Sequence, residues 1–388
     1  MRIKTIYDIK VFCLIICFVL LSYISSFSEN ITKSDNTYRE IDEQIFGAKP
    51  DDRGPIGGGV GYKKSIIDGN YNIKDIDGLL DALNKVKAGE IIFLDRNTEI
   101  DCTDLVFTEG FQIKVPAGVI LASDRGYNGS EGAILKSENF ATNPLINVLG
   151  PNARITGLRI LGPDPKPRVE HHKRSFTAGK GDRQGQSRYY YLFPNSAGIT
   201  TVHDALEVDN CELIGWSHAA IYLKTGKDHR IHHNYIHHNQ RQGLGYGICL
   251  GSESGGLFAS ALIEYNLFDY NRHSIAGTGS PGEAYEASNN IELNNSLSHI
   301  FDMHSGKDRR DGSDIAGELI LIHHNTFMNP KVLAIAIRGI PSDKAVIYNN
   351  WFAQEKPGPS VILPWPISEK DRVRLFNNLF GKENPAVR

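Results

Sequence analysis

Ile231-His232-His233-Asn234-Tyr235-Ile236 and Ile322-His323-His324-Asn325-Thr326-Phe327 share one frame, apolar-x-x-Asn-x-apolar. The frame returns at Ile263–Phe268 around Asn266, at Ile347–Phe352 around Asn350 and at Leu375–Phe380 around Asn378. Val208–Leu213 fits it with Cys211 in the Asn slot, and a one-residue variant is placed around Asn295. The spacing runs from 23 residues (Cys211 to Asn234) to 32 (Asn234 to Asn266). Such recurrence marks a stacked repeat, in which one unit cannot bury its own apolar side and only a pile of units makes a core.

The residue types decide which repeat. Each unit offers short β-branched and aromatic runs of period two, without the i, i+3, i+4, i+7 stripe of an amphipathic helix. Helical repeats and leucine-rich repeats fit poorly. A parallel β-helix fits: every coil contributes short strands, and the recurring Asn stacks amide on amide with its neighbours.

A second column of strands follows the Asn frames, at Ala220–Lys224, Gly247–Gly251, Ser274–Thr278, Ile300–His304 and Ala334–Arg338. Alternation along a strand sends Ile221/Leu223, Ile248/Leu250, Phe301/Met303 and Ile335/Ile337 inward. Tyr222, Lys224, Cys249, Gly251, Ala276, Thr278, Asp302, His304, Ala336 and Arg338 then face out. Coils stack at about 4.8 Å, so Lys224 and Arg338 stand roughly 19 Å apart, across a floor long enough for an extended polymer.

The start of the chain carries a targeting signal. Met1–Lys10 is net basic, Val11–Ile24 is apolar, and Ser26-Phe27-Ser28 has the small-x-small pattern of a cleavage site. The apolar run is short for a membrane span. The expected organisation is a signal peptide over 1–28, a linker or loosely docked arm over 29–63, and a solenoid domain over 64–388 interrupted by a loop at 166–195. The protein is expected outside the cell or in the periplasm, membrane-anchored only if the signal stays uncleaved. Ile76, Leu79, Leu80, Leu83 and Val86 fall at helical spacing within Lys74–Ala88, with Asp75 as N-cap and Gly89 as terminator, which predicts a helix capping the first coils. Strands are expected at Ile91–Leu94, Leu105–Phe107, Phe111–Val115, Val119–Ala122, Leu145–Val148 and Ile155–Ile160, the last with Leu158 in the Asn slot. No cap is evident after Phe380. If the signal is removed, Cys102, Cys211 and Cys249 remain, too few and too scattered for a disulfide framework or a zinc pattern.

A formal net charge of −3 over 388 residues gives no global attraction to nucleic acid or membrane. Local charge is different. The 166–195 loop holds Lys166, Arg168, Lys173, Arg174, Lys180, Arg183 and Arg188 with Tyr189-Tyr190-Tyr191, a combination suited to an anionic polymer, with Arg174 and Tyr190 as candidate contacts. Ser305–Glu318 adds Lys307, Arg309 and Arg310. Its Asp308, Asp311 and Asp314 offer oxygen ligands for calcium, although no metal signature is present and no cofactor is required. All 14 histidines lie between His171 and His324. Those in the Asn turns read as structural; His218, His273, His299 and His304 lie on or beside the outward column and read as substrate-binding or catalytic.

A secretion signal, a capping helix, Asn ladders and a functional face over one strand column together resemble the right-handed parallel β-helix proteins of the pectin-lyase-like superfamily, over roughly Ile66 to the end. The resemblance implies a carbohydrate-active protein and does not choose the reaction, because lyases, hydrolases, epimerases and adhesins share the fold; the expected partner is an anionic polysaccharide and the expected state a monomer. The polygalacturonase Asp pairs and the Asp-Pro-His-Asp of alginate epimerases are not found. Elimination from a uronate needs a base for the proton α to the carboxylate and cations for the developing charge. His304 or Lys224 would be the base, Arg338 or Arg309 the counter-charge, Tyr222 the donor to the leaving oxygen, and Asp302 the group orienting His304. Hydrolysis would instead pair Asp302 with a loop acid such as Glu253, Glu283 or Asp311. Epimerisation of a uronate or non-catalytic glycan binding are the remaining alternatives.

Overall fold

A computed structural model describes residues 37–168, 193–251 and 258–381. The predicted signal peptide, Arg174, Tyr190 and Glu253 lie outside the described residues. From Tyr38 onward the chain forms one compact unit, built of three long parallel sheets. The first runs from Tyr71–Ile73 to Val373–Phe376, the second from Glu99–Asp101 to Leu379–Phe380, and the third from Ile113–Val115 to Ile362–Leu363. A typical coil gives one strand to each sheet. Register keeps like with like: Ile155, Val208, Ile231 and Ile263 lie directly over one another, and Ala287, Ile322, Ile347 and Leu375 continue the row. Every one of these but Leu375 is fully buried, so the apolar frame of the repeat is the core itself.

Between the first and second sheets the chain bends at the residue before each Asn slot. Asn210, His233, Tyr265, Asn289, His324, Asn349 and Asn377 all have φ between 49° and 54° there, the left-handed region that Asn and His tolerate better than most side chains. The following Asn satisfies the backbone groups that the bend exposes. Asn234 Nδ2 donates to Asn266 Oδ1 at 3.0 Å and to Val208 O at 2.8 Å, and the ladder continues through Asn290, Asn325, Asn350 and Asn378.

Asn290, and not Asn295, is therefore the ladder residue of the variant coil. The coil reads Ala287-Ser288-Asn289-Asn290-Ile291-Glu292, and the acid in the last apolar slot hides the frame. Glu292 pairs in register with Phe268 and Phe327, inside a file that goes on through Phe352 and Phe380. Asn295 belongs one bend further on, where Asn239 Nδ2 donates to Asn271 Oδ1 at 2.8 Å in a shorter second ladder; Asn295 Nδ2 bonds the Asp269 carboxylate.

The predicted helix is present at Ile76–Lys85, with Asp75 accepting from the Gly78 amide. Leu79 and Ala82 enter the same core as the first strands. Leu105–Phe107, expected as a strand, is instead part of a helix over Thr103–Glu109. Asp101 accepts from the Thr103 amide and Gly110 closes the other end at φ 63°, so local capping overrides the apolar run. Cys102, Cys211 and Cys249 are buried and form no disulfide among the described residues.

The described part of the arm, 38–63, is docked rather than loose. It runs back along the Asn turns from late coils to early ones. Gly47 N bonds Asn349 O, Ala48 N bonds Thr326 Oγ1, Arg53 pairs with Glu264, Gly57 N bonds Tyr265 O, and Tyr62 Oη donates to Asp209 at 2.9 Å. At its start Phe46 packs with Trp351 and Leu379 of the last coils. Composition rich in Gly suggested a linker; several of those glycines in fact permit close approach. A Cβ on Gly58 would stand 2.3 Å from His233 O.

Candidate active site

The third sheet carries the outward column in continuous register. Thr200, Tyr222, Cys249, Ala276, Asp302, Ala336 and Leu363 lie one over another. Lys224, Gly251, Thr278, His304 and Arg338 follow two residues on, each bonded through its amide to the coil before. Polar side chains gather at two places on this face, with Lys224 and His304 three coils, or roughly 14 Å, apart.

At the first, His218, Tyr222 and Lys224 meet. The His218 and Tyr222 rings are 4.6 Å apart and the Lys224 ammonium lies 5.4 Å from the Tyr222 ring centre. Burial, then the charges of Lys224 and Arg241, push the His218 pKa down to about 4, so its imidazole is neutral at ordinary pH. Among the described residues no carboxylate lies within ion-pair distance of Lys224, which leaves its charge available to an anionic ligand.

At the second, three imidazoles and a guanidinium surround Asp302, which is fully buried. Arg338 Nε donates to Oδ1 at 2.7 Å, and its Nη2 donates to Oδ2. His304 Nε2 lies 2.9 Å, His299 Nε2 3.1 Å and His273 Nε2 3.6 Å from Oδ2. Burial alone would raise the Asp302 pKa; its imidazole surroundings, with His304 Nε2 donating at 2.9 Å, outweigh it and hold the group well below the usual carboxylate range. Because Asp302 can only accept, His304 Nε2 carries the proton and Nδ1 holds the lone pair. Nδ1 makes no hydrogen bond among the described residues, and the His304 side chain is 26% exposed.

Aromatic contacts join the two places. Tyr246 lies 5.9 Å from His218 and stacks on His273 at 5.8 Å, and His273 meets His299 at 4.0 Å. Tyr246 stands at the start of its strand, Tyr246–Leu250, where simple alternation does not assign it to this face.

The residues expected to act together in elimination, Lys224, Tyr222, His304 and Arg338, fall into two groups on this face. His304 and Arg338 share Asp302; Lys224 and Tyr222 belong to the other group. Arg338 is chiefly the counter-ion of Asp302. Arg309, expected to meet substrate, donates to the carbonyls of Thr278 and Ile315 and to Asp311, so it fastens its loop to the neighbouring coil. Lys307 and Arg310 are exposed on that loop. Asp308 completes a capping box with Ser305, and Asp311 accepts from Ser313; with Asp314 they do not gather three oxygens into one site among the described residues.

Glu283, named from sequence only as a loop acid, is buried under the face. It accepts from Thr278 Oγ1 at 2.7 Å and from the Gly279 amide at 3.1 Å, and burial pushes its pKa up to about 7. Its space exists because Gly251 and Gly277 lack side chains: a Cβ on either would come within 2.1 and 2.3 Å of its oxygens. Past Ala336 the column ends in exposed Leu363 and, two residues on, exposed Trp365, an apolar surface that the Asn frame does not reach and sequence reading missed.

The three parallel sheets define the fold class, a parallel β-helix. The family model "Right handed beta helix region" matches residues 191–353. No curated protein matches the sequence. Among solved structures, the chain is similar to the alginate lyase from Paenibacillus sp. str. FPU-7, with 15% identity and a TM-score of 0.45 over 80% of this chain and 97% of that one. It is also similar to the Dettilon tailspike protein, with 16% identity and a TM-score of 0.43 over 74% of this chain and 53% of that one.

Proposed function

We propose that this protein is a secreted polysaccharide lyase that cleaves a uronate-containing polysaccharide by β-elimination, with His304 as the base. The observation that carries the proposal is the His304–Asp302 pair. A buried, ionised carboxylate fixes Nε2–H, so the only lone pair of the imidazole, on Nδ1, is left for the proton α to the substrate carboxylate. Asp302 and Arg338 are positioning residues, since both act through His304. Hydrolysis through Asp302 is disfavoured by the same geometry, because that carboxylate is buried and engaged on both oxygens.

Lys224 and Tyr222, roughly 14 Å along the face, bind a second acidic sugar of the same chain. The ammonium, which has no ion-pair partner among the described residues, attracts its carboxylate and the ring offers an apolar surface. This separates their roles kinetically. On a panel of anionic polysaccharides, absorbance of the unsaturated uronate product should rise with wild type. His304→Ala should lower kcat by about 10²–10⁴-fold, whereas Lys224→Ala should act mainly on KM. New reducing ends without that absorbance would mean hydrolysis, and binding without either product would mean a non-catalytic glycan binder.

A further inference from the structure

The Asp302 cluster contains more acceptors than the protein's own hydrogens can serve. Arg338 Nη2 donates to His299 Nε2 at 2.8 Å, which makes that nitrogen a lone-pair acceptor; it nevertheless faces Asp302 Oδ2 at 3.1 Å. His273 Nδ1 bonds the carbonyl of His299, a contact that requires Nδ1 to carry the hydrogen and leaves Nε2 as an acceptor too. His273 Nε2 is fully buried without a hydrogen-bond partner, 3.6 Å from the same Oδ2. An orphaned buried acceptor costs roughly 1–3 kcal/mol.

These three residues thus bring ligand atoms within 4.8 Å of one another. Zinc-type ions bind imidazole nitrogen and carboxylate oxygen at about 2.0–2.2 Å, so tetrahedral ligands lie roughly 3.4 Å apart. The two imidazole–carboxylate separations, 3.1 and 3.6 Å, bracket that figure. We propose that His273 Nε2, His299 Nε2 and Asp302 Oδ2 form a binding site for a divalent first-row transition-metal ion of the zinc class. Two nitrogens and one oxygen select such an ion over calcium or magnesium, which take oxygen ligands.

Arg338 is the internal competitor. Its Nη2 touches both His299 Nε2 and Asp302 Oδ2, the position an ion bridging them would take. The Nε contact to Oδ1 can persist when the ion binds, as an outer hydrogen bond to a ligating carboxylate, and Asp308 Oδ1 lies 3.8 Å from Nη1 to receive the displaced end. The site does not depend on the elimination reaction, and its test is separate from catalysis.

The full-length mature protein, stripped with chelator, is titrated with Co²⁺ and followed by its visible d–d absorption, with Zn²⁺ as displacing competitor. Wild type should bind one ion per chain. His273→Ala and the partly exposed His299→Gln should abolish stoichiometric binding, while His323→Ala in a distant Asn turn should leave it unchanged. Arg338→Met should bind at least about tenfold more tightly, because the competing cation is gone, and Zn²⁺ should raise its melting temperature. The inference is overturned if wild type takes up no stoichiometric ion, if binding survives both histidine substitutions, or if His323→Ala abolishes it. Should His273→Ala fail to fold, His299→Gln and Arg338→Met decide the question.

Discussion

Glu292 and Asp302 are both buried acids on consecutive strands of one coil, and their surroundings drive them in opposite directions. Glu292 points into the core between Phe268 and Phe327, where Ser296 Oγ bonds one oxygen and the other has no hydrogen-bond partner. Among the described residues no cation pairs with it, and burial pushes its pKa up to about 8. Asp302 is equally buried, yet the Arg338 guanidinium paired with it and the Nε2–H of His304 keep it ionised. Burial alone does not set the charge of a carboxylate; the partners on its side of the strand do. One residue type is neutral ballast in the core at neutral pH, and the other is a fixed anion that orients a base.

The largest effect should come from forcing Glu292 to ionise. Its folded pKa of about 8 lies above the unfolded value of 4.5, so between these the unfolded chain releases the proton first and stability falls as pH rises. The loss begins near pH 4.5 and levels off above pH 8. A shift of this size corresponds to roughly 5 kcal/mol, measurable as a pH series of urea unfolding midpoints, and Glu292→Gln should remove most of the slope. Asp302→Ala should cost about 3–5 kcal/mol at neutral pH, because it strands the Arg338 charge; Asp302→Asn, which keeps the shape, should cost less but still lose activity. Equal unfolding midpoints for wild type and Asp302→Ala would break the contrast.

Smaller effects sharpen the account of the coil that holds both acids. Asn290→Ala removes a rung of the ladder and leaves buried amides and carbonyls unserved, at a cost of about 2 kcal/mol. Asn295→Ala touches only the Asp269 carboxylate and should cost about 1 kcal/mol or less. Thermal melts of the two variants distinguish the positions.

The Asn frame was sufficient to read the stacking, because identical bends need identical backbone partners and so repeat in sequence. The alternation of Ile221, Ile248, Phe301 and Ile335 likewise gave the outward rows on which Tyr222, Asp302 and His304 lie. Three things were not legible. The variant coil was misplaced because Glu292 takes a core slot that a hydrophobic pattern does not assign to an acid. The docking of Asp51, Arg53 and Tyr62 depends on partners some 150 to 210 residues away, such as Asp209 and Glu264, which carry no local signal. The division of Lys224 from His304 and the capture of Arg309 by backbone carbonyls follow from coil height and loop path, and neither is encoded in a spacing.

The most direct test of the proposed reaction is the mass of the oligosaccharides released from a uronate-rich polysaccharide. Elimination leaves each new non-reducing end unsaturated, so the fragments should be lighter by one water than hydrolysis products of equal length, and they should disappear with His304→Ala. Fragments that carry the full mass of added water, or unsaturated fragments undiminished in His304→Ala, would contradict the assignment of His304 as the base of an elimination.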